Sequence, residues 1–187
     1  MSYCGIAPGH LLHGPYHQDE HGFPTRDDRV IFERLVLEIN QAGLSWLVTL
    51  KKRPGFRAAF ADYDLDAVAA YGPAEVERLS ADLAIVRNRR KIEAVIENAR
   101  RLVALRQRHG SLAAWLDSHH PMTKPDWLRL LKRELVFMGG EIAGEFLMSL
   151  GYLPGAHDAD CPVQARVLAA NPPWLTAARN GFANWPA

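Results

Sequence analysis

The chain has 187 residues, of which 48% are hydrophobic and 23% are charged, and its formal net charge is +1. This composition is typical of a globular protein with enough chain to bury a core of its own. A net charge near zero neither requires nor excludes nucleic acid, because a local basic patch is enough to hold phosphates.

The sequence has no run of about 18 apolar residues, so we expect no transmembrane helix and no membrane partner. The N-terminus, MSYCGIAPGH, has neither the basic nor the apolar region of a signal peptide. Two cysteines without a secretion signal indicate a reducing compartment, so we expect a cytoplasmic protein. The length predicts one domain over residues 1–187.

Helical spacing and recognisable caps predict an all-α fold. The stretch up to Pro24 is expected to be irregular. Thr25 or Asp27 then caps a helix that runs to about Gln41. Short helices with brief connections indicate a compact bundle. Further helices are predicted at about 45–53, 54–61, 64–71, from 73 onward, 88–109, 112–116, 125–132, 140–150 and 162–169.

Glu38 lies at the edge of an apolar arc on the first long predicted helix. A carboxylate there is partly desolvated unless it meets a cation or a hydrogen-bond donor. Two interpretations are open: a glutamate that reaches solvent from the core boundary, or a carboxylate directed into a pocket. Trp46 follows one turn later and is either a core residue or a binding platform. The arc consists of Ile31, Phe32, Leu35, Val36, Ile39 and Ala42.

Two thiols and two imidazoles near the ends of the chain form a possible metal-ligand set. His157 and Cys161 have H-x3-C spacing, which lets two ligands share one metal ion, and the spacing of Cys4 and His17 is compatible. The alternative is two buried thiols and surface imidazoles. Three other histidines compete for the N-terminal position: His10, His13 and His21.

A basic cluster, Arg87-Asn88-Arg89-Arg90-Lys91, opens the longest predicted helix. Helix N-termini attract phosphate, and cations at such a position suggest a nearby phosphate backbone. The alternative is a solvated charged turn.

Taken together, these residues resemble one family, the type I 3-methyladenine DNA glycosylases. Residues 16–24, YHQDEHGFP, resemble its YHDxEWGxP signature. Residues 37–46, LEINQAGLSW, are similar to its LExxQAGLSW block, which is the most specific match. Residues 85–100 resemble its IIRNRxKIxxxxxNA segment, and Phe137-Met138-Gly139, Phe146 and the terminal H-x3-C pair extend the likeness to Cys161.

The resemblance implies a compact two-lobed, all-α helix-hairpin-helix glycosylase fold whose termini are joined by one structural zinc ion. It implies zinc ligands at Cys4, His17, His157 and Cys161. It implies a catalytic carboxylate at Glu38 that binds the methylated base, and aromatic side chains at Tyr16 and Trp46 that enclose the base. Leu44 would fill the space left by an extruded base, and the DNA-binding hairpin would use Arg87, Arg89, Arg90 and Lys91.

The implied activity is that of a monofunctional, monomeric glycosylase that excises 3-methyladenine from alkylated double-stranded DNA in base-excision repair. Two alternatives are open: a glycosylase for another alkylated base, and a DNA-lesion-binding protein with weak catalysis. The sequence departs from the family pattern in three places: His21 replaces a Trp, Ala84 stands where a Gly is usual, and Glu141, Gly144 and Glu145 replace a segment with a Thr and an aromatic residue. The first alternative is suggested by Glu141, Gly144 and Glu145, which would open the pocket or change its charge.

Overall fold

The computed structural model describes residues 2–183, and every regular element in that range is helical, as predicted. No helix in this range is both long and apolar enough to cross a membrane. The predicted domain also includes residues 1 and 184–187, which lie outside the described range. The helices are α1 Tyr3–Ile6, α2 His13–Asp19, α3 Asp28–Gln41, α4 Trp46–Ala59, α5 Leu65–Ala69, α6 Pro73–Ala81, α7 Arg89–His109, α8 Leu112–Asp117, α9 Lys124–Glu134, α10 Gly140–Ser149, α11 Pro162–Ala169 and α12 Pro173–Arg179.

Helix α3 packs against α4, α7, α8 and α10, and its apolar arc is buried in the main core. Of the two predicted caps, Asp27 is the one used, since its carboxylate accepts a hydrogen bond from the backbone N–H of Arg29 at 2.8 Å. A second, smaller apolar cluster joins the two ends of the chain: Val163 and Val167 of α11 pack with Cys161, Cys4 and Phe23.

The N-terminal stretch is not irregular, because it contains α1 and α2. A local cap explains why α2 forms in a segment with Gly and Pro. The imidazole Nδ1 of His10 accepts hydrogen bonds from the backbone N–H groups of Leu12 (3.1 Å) and His13 (3.2 Å). These donors would otherwise lack partners at the start of the helix.

The predicted break at Pro54 is also wrong, because α4 continues through it. A proline inside a helix removes one hydrogen bond. Packing of the second half of α4 outweighs that loss. Phe56 and Ala59 are buried in the core, and Gly55 lies so close to the Ala84 carbonyl that an added Cβ would be 2.4 Å from its oxygen.

Lys91 joins the start of α7 to the end of α3. Its side chain is only 5% exposed, and its ammonium donates to the carbonyls of Asn40 (2.8 Å) and Ala42 (2.6 Å). These are carbonyls at the C-terminal end of a helix, where partners are missing and a cation is favoured. The contact fixes the position of the loop between α3 and α4.

We predict that Lys91→Met lowers the free energy of unfolding by about 2 kcal/mol, because two carbonyls lose their donor. Urea denaturation measures the change. The exposed Lys132→Met is the matched control and should leave stability unchanged. Equal stability of the two variants would contradict the role given to Lys91.

Candidate functional site

The four predicted metal ligands come together although they lie at opposite ends of the chain. Their donor atoms all lie within 4.8 Å of one another. The two imidazole nitrogens, His17 Nε2 and His157 Nδ1, are 3.2 Å apart. The Cys4 sulfur is 3.4 Å from the first nitrogen and 3.6 Å from the second, and the Cys161 sulfur is 3.7 and 3.8 Å from them.

These spacings fit a tetrahedral ion. Zinc bound at about 2.0 Å to nitrogen and about 2.3 Å to sulfur sets neighbouring ligand atoms about 3.3 to 3.8 Å apart. The His157 Nε2–H donates to the carbonyl of His21 at 2.8 Å, which turns Nδ1 toward the cluster. The backbone N–H of Asp158 donates to the Cys4 sulfur at 3.3 Å. The cluster can therefore hold a metal ion with protein ligands at all four positions.

The cluster adjoins a cavity of about 640 Å³. Tyr3 precedes Cys4 in the chain and Tyr16 precedes His17, and both tyrosines line this cavity. His21, whose carbonyl accepts from His157, lines it as well. Gly22 lets the chain after His21 lie close to the chain before His157. Its φ is +84°, and an added Cβ would lie 2.7 Å from the Cβ of Ala156.

Glu38 lines the same cavity from α3, as predicted for a pocket carboxylate. The residue is 5% exposed, and its carboxylate forms no hydrogen bond or ion pair with any residue in the described range. Burial raises the pKa of Glu38 to about 8, and the negative charge of Glu145 adds to the rise, while Arg34 opposes it. Burial therefore favours the protonated form of Glu38 at neutral pH.

The aromatic side of the cavity is formed by Tyr3, Tyr16 and Trp46. The rings of Tyr16 and Trp46 meet edge to face with centroids 5.0 Å apart, so they touch each other and a flat base cannot lie between them. The indole N–H of Trp46 donates to the Tyr3 hydroxyl at 3.3 Å. The buried Tyr16 hydroxyl has no hydrogen-bond partner in the described range.

A buried ion network supports Tyr16. The guanidinium of Arg34 lies 4.7 Å from the centre of the Tyr16 ring and pairs with Glu20 at 2.8 Å. Arg53 bridges Glu20 (2.7 Å) and Glu33 (3.0 Å). Although burial alone would raise the pKa of Glu20, the hydrogen bonds and charges of the two arginines hold it below its ordinary value. The network therefore keeps its charges and fixes Arg34 against the tyrosine.

Helix α10 adds an acidic side to the cavity through Glu141 and Glu145. The Glu145 carboxyl group is partly buried, and its pKa is raised by burial and by Glu141, with Lys124 opposing the rise. Neither glutamate forms an ion pair with the described residues. The two glutamates, at which the sequence departs from the family pattern, therefore line the pocket.

The predicted DNA-binding residues divide into three kinds. Arg87 is exposed on the turn between α6 and α7, and Arg90 is exposed in the first turn of α7. The guanidinium of Arg89 is paired with Glu77 and Glu93. Lys91 is buried and bound to two carbonyls, so its predicted contact with DNA phosphate is corrected to a structural contact.

Two further predicted residues lie on loops. Leu44 is 38% exposed in the loop that follows α3. Ala84, which replaces the usual Gly of the hairpin, is exposed, and its N–H donates to the Asp82 carboxylate at 2.8 Å. The residue that sequence reasoning missed is Tyr3, and its position next to Cys4 was the available signal.

A larger cavity of about 900 Å³ lies elsewhere, between α12 and the segment around Arg26. It is lined by none of the four candidate metal ligands, nor by Glu38 or Trp46. The cavity of about 640 Å³ is therefore the one lined by the residues that the sequence indicates as functional.

The raised pKa of Glu38 predicts a pH-dependent stability difference. Between about pH 4.5 and pH 8 the folded protein binds more protons than the unfolded chain, so wild-type stability loses this contribution as the pH rises. The Glu38→Gln variant has no carboxyl group at this position, so its free energy of unfolding does not fall for this reason as the pH rises. Its stability relative to wild type should therefore increase from pH 5 to pH 8.

Denaturation at several pH values measures this difference. Glu97→Gln, which removes a surface carboxylate from α7, is the control and should show no such trend. A constant difference between Glu38→Gln and wild type across the range would contradict the raised pKa.

Comparison with known proteins places these features in a family. The sequence model described as methyladenine glycosylase matches residues 9–133. DNA-3-methyladenine glycosylase 1 of Escherichia coli (strain K12) is 44% identical over 107 residues, 57% of each chain, so this match spans little more than half of that protein. DNA-3-methyladenine glycosylase of Haemophilus influenzae is 31% identical over 166 residues, which are 79% of this chain and 89% of that protein.

Solved structures share the fold. The structure of 3-methyladenine DNA glycosylase I (TAG) from Staphylococcus aureus, which addresses 3-methyladenine recognition, matches with a TM-score of 0.77 at 28% identity. The match covers 87% of this chain and 97% of that one. Another structure of 3-methyladenine DNA glycosylase I matches with a TM-score of 0.76 at 33% identity, over 85% and 97% of the two chains.

Proposed function

The chain belongs to the methyladenine glycosylase family, and from this premise we propose that it excises 3-methyladenine from alkylated DNA in base-excision repair. The observation that carries the proposal is the buried, unpaired carboxylate of Glu38 beside the rings of Tyr3, Tyr16 and Trp46. A buried carboxylate that has no hydrogen bond or ion pair within the protein is suited to bind a positively charged ligand.

The charge of the lesion supplies the selectivity. Methylation at N3 makes the adenine of a nucleotide cationic, while normal adenine is neutral. The cation gains a charge-assisted hydrogen bond from ionised Glu38 and about 1–2 kcal/mol from each good aromatic contact. Since Tyr16 and Trp46 touch each other, the base lies against the rings on their cavity side.

The proposed hydrolysis of the glycosidic bond requires few catalytic groups from the protein. The bond between C1′ of the sugar and N9 of the base breaks, and the electron pair leaves with the base, which becomes neutral. Water adds to C1′ and releases a proton. Among the residues that the structure describes, no lysine lines the pocket to act as a nucleophile, so we expect the product to be an abasic site with an intact strand.

The base reaches the pocket only outside the DNA stack. Leu44, exposed beside the cavity, is suited to occupy the space that the base leaves. Arg87, on the turn between α6 and α7, and Arg90, in the first turn of α7, are exposed and suited to contact phosphates of the double-stranded substrate. A protein that works in this way needs one copy of the chain and acts in the cytoplasm, where we place it.

The Cys4–His17–His157–Cys161 cluster holds, in this proposal, one structural zinc ion. Four protein ligands leave no open position for substrate or water. The ion contributes rigidity: it fixes α1 and α2, which carry Tyr3 and Tyr16, against the C-terminal segment.

Replacing Glu38 tests the proposed activity. Loss of a charge-assisted hydrogen bond should lower release of free 3-methyladenine from methylated DNA about 10- to 100-fold in Glu38→Gln. In the wild type, kcat/KM should rise as the pH approaches 8 and Glu38 ionises, and the variant should show no such rise.

Chromatography of the released base measures both effects, with Glu97→Gln as the control of unchanged activity. Equal release by Glu38→Gln and wild type would remove Glu38 from the mechanism. Tight binding of the wild type to an abasic-site duplex with no base release would instead support the lesion-binding alternative.

Removing one cluster ligand tests the zinc proposal. Cys161→Ala should reduce bound zinc from about one ion per chain to a small fraction of that, lower the melting temperature, and weaken base release. His109→Ala, which removes a histidine outside the cluster, should keep the metal. A Cys161→Ala protein with wild-type stability and activity and no metal would show that the cluster is not a structural site.

A further inference from the structure

We propose that Tyr3 is a positioning residue of the base pocket, whose hydroxyl holds the indole of Trp46 in the orientation that receives the base. This inference rests on the proposed glycosylase function. It assigns a role to a residue that lies outside every sequence motif of the family resemblance, and it makes the closed chain ends part of base recognition.

The ring of Trp46 needs a second contact to fix its orientation. Trp46 is the first residue of α4, it follows an exposed loop at residues 43–45, and it is only partly buried. Its edge-to-face contact with the Tyr16 ring leaves the direction of the indole N–H unset. That N–H donates to the Tyr3 hydroxyl at 3.3 Å. The hydrogen bond therefore selects one rotation of the indole, a torsion that is otherwise broad.

Tyr3 is itself held by three imidazole rings. It packs edge to face against those of His13, His17 and His21, with centroids 5.6 to 5.8 Å apart. Its hydroxyl lies 3.4 Å from Nδ1 of His13. A tyrosine hydroxyl both donates and accepts, so it can accept from Trp46 and donate to His13 at the same time. The group that holds the indole is therefore fixed in place.

The position of Tyr3 depends on the cluster at the chain ends. Helix α1 has four residues and buries none of them, so it is too short to be stable by itself. The sulfur of Cys4, the residue after Tyr3, lies 3.4 Å from His17 Nε2 and 3.6 Å from His157 Nδ1. These contacts hold α1 against the rest of the protein. Tyr3 thus connects the cluster to the aromatic wall of the pocket.

The proposed reaction decides which kinetic constant a positioning residue of this wall changes. The alkylated base is cationic when it binds, and aromatic rings attract it. As the glycosidic bond breaks, the electron pair moves to the base and the positive charge moves to the sugar. The attraction of the rings for the base is therefore greatest in the bound substrate. A Trp46 ring that is free to turn should raise KM and leave kcat nearly unchanged.

Tyr3→Phe tests this role because phenylalanine keeps the ring and removes only the hydroxyl. KM for the release of 3-methyladenine from methylated DNA should rise about three- to tenfold, while kcat stays within about twofold. In a proton–nitrogen NMR spectrum the indole N–H signal of Trp46, assigned with Trp46→Phe, should shift in the Tyr3→Phe variant. The metal content should equal that of the wild type, which shows that the cluster is intact.

Tyr71→Phe is the matched control, because the Tyr71 hydroxyl also forms one hydrogen bond, to the Ala59 carbonyl at 3.1 Å, and Tyr71 does not line the pocket. It should change neither KM nor the Trp46 signal. A double-variant cycle separates positioning from direct contact between Tyr3 and the base. In a Trp46→Phe background, Tyr3→Phe should have no further effect on KM, because no indole N–H remains to be held.

The outcomes separate this inference from the proposed function. An unchanged KM in Tyr3→Phe, or a fall in kcat alone, would overturn the inference and leave the function intact. A rise of KM that is equally large in the Trp46→Phe background would also overturn it, since Tyr3 would then act without Trp46. If the wild type released no methylated base, the proposed function itself would fail, and an unmoved Trp46 signal in Tyr3→Phe would still overturn the inference by itself.

Discussion

A carboxylate that is buried without a partner is the constraint on which the rest of the site depends. Glu38 lies on the apolar side of α3, and its burial and the charge of Glu145 favour the neutral form of its carboxyl group. The surrounding structure holds this unfavourable arrangement in place. Lys91 binds the carbonyls at the end of α3, and Arg34 is fixed beneath Tyr16 by Glu20. In the proposed function, stability is given up at the position where a charged base would gain most.

The cluster at the chain ends and the base pocket form one unit. Tyr3 and Tyr16 are each next to a residue of the Cys4–His17–His157–Cys161 cluster in the sequence, and the carbonyl of His21 accepts from His157. A tetrahedral ion there would restrict α1 and α2 together. This explains how a metal without an open position can matter for recognition: it reduces the freedom of the rings that form the aromatic wall.

The sequence could predict the residues of the site better than their contacts. Periodicity placed Glu38 at the edge of an apolar arc, and the ligand types of Cys4, His17, His157 and Cys161 indicated a metal. Tertiary contacts decided where the other side chains lie and whether a helix continues. A lysine in a basic run looks available to phosphate, but Lys91 is directed inward by the unpaired carbonyls of α3. A proline normally interrupts a helix, but core packing of Phe56 maintains α4. Tyr3 carries no motif, and only the closure of the chain ends brings it to Trp46.

The ionisation of Glu38 is the most direct test of this account. The carboxyl carbon of Glu38 can be followed by NMR as the pH is changed, with the Glu38→Gln spectrum to assign the signal. We expect a pKa of about 8 in the free protein, together with a downward shift in Glu145→Gln. A pKa near the ordinary value of 4.5, unchanged in that variant, would contradict the claim that an unpaired buried carboxylate forms the receptor for a cationic base.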